Sequence, residues 1–216
     1  MRRVRRGLYI PVPLDATNPS TWSEDPLVLA DAVWAPCYFS GWTAANHWGM
    51  TEQIFRTTAL KSSGRVRSTH QRLLDYHYLL ASVPDHVMGW GVNHVWRDER
   101  KVRMADPTRT VIDILDNPAF GAGIRHGAEI VEEYLQRHDS DLLVEYGDRL
   151  GNRTVFKRLG YLLEATGSGF EALVHECEVR VSAGISLLDP GAPGGGKRIG
   201  RWGLRANAEV ATRDAS

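Results

Sequence analysis

The sequence predicts an α+β protein, and three observations predict it. Short runs rich in Val, Tyr and Ile, broken by Pro and Gly, fill the first half, as in "RRGLYIPVP", "YHYLLAS" and "VNHVW". From residue 106 onward the apolar spacing lengthens to the helical period. The chain then ends on short strand-like runs around a glycine-rich stretch, "GAPGGG".

Within residues 1–13, the run over 3–12 has strand-forming composition, but Pro11 and Pro13 remove ladder donors and exclude a central strand. An edge or wing strand is expected. The Asp, Asn, Ser and Pro content of 14–25 predicts a loop, after which Asp25 caps and Pro26 starts a helix reaching about Val33, stopped by Pro36. "GWTAANHWGM" predicts a short helix ended by Gly49. Strands are expected over 53–60, 76–82, 92–96 and 101–104, separated by Pro84, Gly89 and the charged turn "RDERK". Residues 14–105 therefore form a mixed α/β half.

Residues 106–216 form a helical half. In "ADPTRTVIDILDNP" Asp106 is the cap, Pro107 takes the first helical position, Val111, Ile112 and Leu115 share a face, and Pro118 stops the helix. "GAEIVEEYLQRH", "SDLLVEYGDRL", "NRTVFKRLGYLLEAT" and residues 170–181 continue as helices. In the fourth of these five, Val155, Phe156, Leu159, Leu162 and Leu163 gather on one side, which leaves Arg153 and Lys157 in solvent with Arg158 at the margin. "ISLLDPGAPGGGKRIGRWGLRAN" predicts two strands across a glycine-rich loop, a C-terminal β-hairpin, before a frayed tail.

The 26 Lys and Arg residues balance 26 Asp and Glu, so no global field draws a polyanion and any nucleic-acid contact must be local. Two cysteines, Cys37 and Cys177, exclude a multi-bridge scaffold or a four-cysteine zinc site and suit a reducing compartment. With no apolar leader and no charge-free stretch of bilayer length, the cytoplasm is the expected location.

Candidates for chemistry are weak. "GAGIRHG" and "GAPGGGKRIG" lack phosphate-loop spacing, and the second precedes a strand where a helix N-terminus is needed. His175 and Cys177 have no second ligand pair, so scattered structural or solvated histidines are the reading, and no metal or cofactor is expected. Asp113 and Asp116, three apart on a helix, could do acid/base work but read as a solvated face. Cys37, among aromatics, reads as a buried inert thiol.

Basic clusters are the stronger feature. Arg2, Arg3, Arg5 and Arg6 open the chain with no acid before Asp15; Arg153, Lys157 and Arg158 share a helix; Lys197, Arg198, Arg201 and Arg205 fill the last hairpin around Trp202. Arginine beside an aromatic suits phosphate and base contact, so these residues are the nucleic-acid-binding candidates, against the plain alternative of solvated surface offset by nearby acids.

Five blocks in one order, "RRGLYIPVP", "GWTAANHWGMTEQIF", "VRMADPTRTVIDILDNP", "GNRTVFKRLGYLLE" and "RWGLRAN", together resemble the AbiEi family over nearly the whole chain. These are the antitoxins and transcriptional regulators of the AbiE abortive-infection, phage-defence systems. The resemblance implies a winged helix-turn-helix that binds inverted repeats in the operon's own promoter, followed by an antitoxin domain. The antagonism it implies is type IV, directed at a nucleotidyltransferase-like toxin without a stable complex. On this reading 1–13 is the remnant wing strand, 14–216 is the antitoxin domain, and the three reading helices would precede the first residue. A wing contacts phosphate or the minor groove while a helix reads bases, so weak or lost operator recognition is expected. The competing expectations are a nucleic-acid-processing enzyme, a nuclease or phosphate-handling activity that reverses the toxin's modification through carboxylates such as Asp113, and a DNA-binding accessory protein with no toxin.

Overall fold

The computed structural model describes residues 2–5, 7–10, 24–97, 99–167 and 169–210, and their fold is α+β. β1 (Arg2–Arg5) and β2 (Leu8–Ile10) pair antiparallel, with Arg3 opposite Tyr9. The single strand expected here is therefore a hairpin, reversed at Gly7, whose φ of +81° is open to glycine and costly for other residues. Positions 11–23, including the two prolines and most of the expected loop, lie outside the described residues.

α1 (Pro26–Trp34) starts where the sequence places it, because Asp25 Oδ1 accepts the backbone N–H groups of Leu27 at 2.6 Å and Val28 at 3.3 Å. β3 (Cys37–Phe39) follows and was not expected: three residues behind a proline carry no period. α2 (Gly41–His47) is the short helix expected before Gly49. β4 (Thr57–Ser62) begins four residues later than the expected strand, and Ile54 stands in solvent instead. β5 (His70–Leu73) is a largely polar outer strand that alternation could not reveal, and β6 (Tyr76–Ser82) has the expected bounds. β7 (Val92–Arg97) and β8 (Arg100–Ala105) run slightly longer than expected.

β3 to β8 form one mixed sheet in the order β5-β6-β4-β3-β8-β7, with β4/β6 and β3/β8 parallel and the other pairs antiparallel. Alternation along its strands builds a core on each face. Leu60 and Leu80 join Leu27, Leu29 and Ile10 beneath α1, while Ala59 and Leu79, their chain neighbours, join the helical half.

That half comprises α3 (Pro107–Asp116), α4 (Ile124–Arg137), α5 (Asp141–Leu150), α6 (Thr154–Thr166) and α7 (Glu171–Glu178). Asp106 caps α3 through a 2.7 Å bond from the Arg109 N–H, as its sequence requires. The C-terminal segment differs from expectation. β9 (Ser186–Leu187) lies parallel to β11 (Leu204–Ala206), and the antiparallel hairpin is β10 (Lys197–Ile199) with β11, turning at 200–203 rather than across the glycine-rich loop. Positions 211–216 of the expected tail lie outside the described residues.

This small sheet changes the fate of α6. Val155, Phe156, Leu159, Leu162 and Leu163 are buried as expected, but Trp202 packs on Gly160 so closely that a Cβ there would sit 2.1 Å from the indole ring. The helix is covered on a second face, and Lys157 and Arg158 are covered with it, while Arg153 stays exposed as expected. Among the described residues no helix is long and apolar enough to cross a membrane.

Candidate nucleic-acid interface

The α3 carboxylates separate on folding. Asp113 is not on a solvated face but fully buried, with a carboxylate that accepts Ser40 Oγ at 2.6 Å, Lys61 Nζ at 3.0 Å and Arg109 Nε at 3.0 Å. Burial alone would raise its pKa; the Lys61 and Arg109 charges and the Ser40 hydroxyl outweigh that and hold it below the usual carboxylate range. Arg109 is tied down in turn, by the carbonyls of Val87 and Trp90 at 3.1 and 3.0 Å, by the Tyr38 hydroxyl at 2.6 Å, and by the Trp90 ring 3.8 Å from its guanidinium carbon. Asp116 is partly exposed and takes Asn152 Nδ2 at 2.7 Å and Lys61 Nζ at 3.4 Å. Two cations thus meet two anions across α3 and β4. Lys61 lies 52 residues from Asp113, too far for any local pattern to show the partnership.

The basic candidates divide into three groups. Lys157 is 1% exposed and donates to the Gly184 carbonyl at 2.9 Å; Arg158 is 3% exposed and donates to the carbonyls of Leu188, Leu115, Asp116 and Leu187 at 2.6–3.0 Å. Burial lowers the Arg158 pKa, with Asp116 and Asp189 countering it. Both residues are structural ties, which corrects the expectation of a basic face on α6. Arg153 and Arg201 reach the surface but are engaged: Arg153 pairs with Asp148, and Arg201 with Glu164 and with Glu178 at 2.9 Å. Trp202, expected among the basic residues as a stacking ring, is 0% exposed and donates its indole N–H to Glu164. The third group stands open. Lys197, Arg198 and Arg205 are exposed, with Arg198 directly across from Arg205, and Arg3 is exposed on β1. Arg2 and Arg5 flank it on that strand; Arg6 lies outside the described residues.

A further basic site went unrecognised in the sequence. On the β7–β8 ribbon Trp96 faces Lys101 and His94 faces Arg103, so all four side chains share one face. The "RDERK" turn hid this. What could have shown it is the mirror placement of Trp96 and Lys101 about that turn, which in a hairpin makes them cross-strand partners.

The remaining candidates resolve as structure. "GAGIRHG" does lead into the N-terminus of α4, but the Asp189 carboxylate already occupies that end, accepting the Ile124 N–H at 2.9 Å. His126 is held between Thr51 Oγ1 and the Gly121 carbonyl, each at 2.9 Å. Among the described residues no group of three or more His, Cys, Asp or Glu side chains is placed to hold a metal. Both cysteines are buried and free. Burial, then the Asp31 charge and hydrogen bond, push the Cys37 thiol up to about 12; burial pushes Cys177 up to about 12 as well. In the folded protein neither thiol is expected to react with a disulfide reagent at about pH 8, and both are expected to react in denaturant. Fast labelling of the native protein would contradict the burial.

No family model matches the chain, and no curated protein matches it. The solved structures similar to it include the RV2827C protein from Mycobacterium tuberculosis, with a TM-score of 0.59 at 13% identity over 84% of this chain and 68% of that one. At that identity the likeness is one of fold.

Proposed function

We propose that the chain is an antitoxin of the AbiEi kind that acts by binding and not by catalysis, opposing a nucleotidyltransferase-like toxin without a stable complex. The five ordered sequence blocks suggest the family. The observation that carries the binding reading over the enzymatic one is the Asp113 carboxylate: the group the enzyme would use has no exposed surface and is committed to Ser40, Lys61 and Arg109. A general acid or base needs contact with its substrate's proton, and Asp113 has none. Exposed cations with no ion pair among the described residues, Arg3, Lys197, Arg198 and Arg205, favour contact with phosphate instead. Contact of this kind would be weak and indifferent to sequence, so operator reading by these residues alone is not part of the proposal.

The test is co-expression with a nucleotidyltransferase-like toxin encoded by a neighbouring gene, together with incubation of the purified chain with RNA that the toxin has modified. Growth rescue without removal of the modification is the expected result. Absence of rescue when folded protein accumulates would overturn the antitoxin reading, and release of the modifying group by the chain would establish the enzyme.

A further inference from the structure

The geometry points to the β7–β8 ribbon as a binding site for single-stranded nucleic acid, with a base stacked on Trp96 and a neighbouring phosphate held by Lys101. It stands on observations separate from those behind the antitoxin reading. Trp96 is 64% exposed although it sits within a strand of the main sheet. β7 is the outer strand, and β3, the inner neighbour of β8, pairs with it only at Phe39 and Met104. Trp96 and Arg97 on β7 and Arg100 and Lys101 on β8 therefore lie past the last rung of β3 and pair only with each other. The sheet holds the base of this arm, while Val95 and Val102 bury its other face.

The exposed face has the two components that sequence-tolerant binding of single strands requires. One is a π surface: Lys101 Nζ lies over one face of the Trp96 ring, 4.7 Å from its centroid, and the ring is otherwise largely open to solvent. The other is positive charge. On that face Lys101 and His94 are exposed, and Arg103 is half-buried and anchored to the Met88 carbonyl; Arg100 pairs with Arg97 on the opposite side, and the Asp31 carboxylate of α1 offsets part of the charge of Arg100 and Arg103. A stacked base on the indole would place its flanking phosphates beside the Lys101 ammonium. Duplexes keep their base faces inside the stack, so the same ring discriminates in favour of single strands. A protein strand adding to the β7 edge is the alternative occupant; between Val92 and Ala105 four basic residues outnumber two acidic ones, Asp98 and Glu99, and the net positive charge favours a polyanion over a neutral strand.

The test is fluorescence anisotropy with labelled oligo-dT, oligo-U and a random duplex, using the wild type, Trp96→Ala, Trp96→Phe and Lys101→Ala. Both single strands should bind better than the duplex. Trp96→Ala should weaken them by about 5- to 150-fold with an unchanged melting temperature, as loss of one stacked base does, while Trp96→Phe keeps most of the affinity. Lys101→Ala should weaken binding and flatten its salt dependence. The site is wrong if neither single strand binds, if Trp96→Ala binds as the wild type does, or if Trp96 instead governs self-association or capture of a peptide strand. Toxin rescue is scored separately, so loss of this site leaves the antitoxin reading to its own assay.

Discussion

Replacing Asp113 with alanine is expected to cost about 3–5 kcal/mol, a large share of the roughly 5–15 kcal/mol that holds a typical domain together. The loss comes from what stays behind. Lys61 is 2% exposed and Arg109 fully buried, and without the carboxylate two charges remain inside the protein with one partly exposed anion, Asp116, to offset them. Asp113→Asn keeps the shape and the Ser40 contact but not the charge, so it separates the electrostatic contribution from packing. The folded-state pKa of Asp113 is depressed, so its stabilisation is complete above the unfolded value of about 3.9 and declines as pH falls toward the folded value. The stability gap between wild type and Asp113→Asn should therefore be widest near neutrality and narrow below about pH 4. Urea denaturation across pH measures it. A gap that grows on acidification, or an alanine variant as stable as the wild type, would mean that the buried charges are not arranged as described.

Arg158→Ala is expected to destabilise by about 3 kcal/mol or more. One guanidinium serves the carbonyls of Leu115 and Asp116, at the end of α3 where helical acceptors lack partners, and those of Leu187 and Leu188 in the segment of β9. Each buried acceptor left unpaired costs about 1–3 kcal/mol. Arg158→Lys should rescue little, because a single ammonium cannot span a fan of four acceptors. Arg153→Ala, five residues earlier at the N-terminal edge of α6 and paired with Asp148 at the surface, should change the melting temperature only slightly. Thermal melts of the three variants give the comparison, and similar losses at both positions would remove the distinction between the buried tie and the surface pair. Had α6 presented a basic face to solvent, neither substitution would matter to the fold.

Local chemistry was legible in the sequence wherever a residue acts on its chain neighbours. Asp25 with Pro26 and Asp106 with Pro107 mark helix starts because a carboxylate one residue outside a helix meets that helix's own free N–H groups, and the structure contains both bonds. The apolar face of α6 and the bounds of β6 were legible for the same reason, since a period is a property of adjacent residues. β3 and β5 escaped, one too short to show a period and the other an outer strand with polar side chains.

What the tertiary structure alone decided is which charges are free. Lys157 and Arg158 occupy the polar side of an amphipathic helix and would be solvated if α6 had a single packed face; a three-stranded sheet closing over Gly160 makes them ties to backbone carbonyls. Asp113 became a buried counter-charge because the folded sheet carries Lys61 opposite it. Trp202 and Trp96 both stand among basic residues in the sequence, yet the fold encloses the first and leaves the second in water on an outer strand. Charge and aromaticity are properties of a residue, whereas accessibility depends on which distant segment packs against it, so composition could name the groups able to meet a nucleic acid and only packing could select among them.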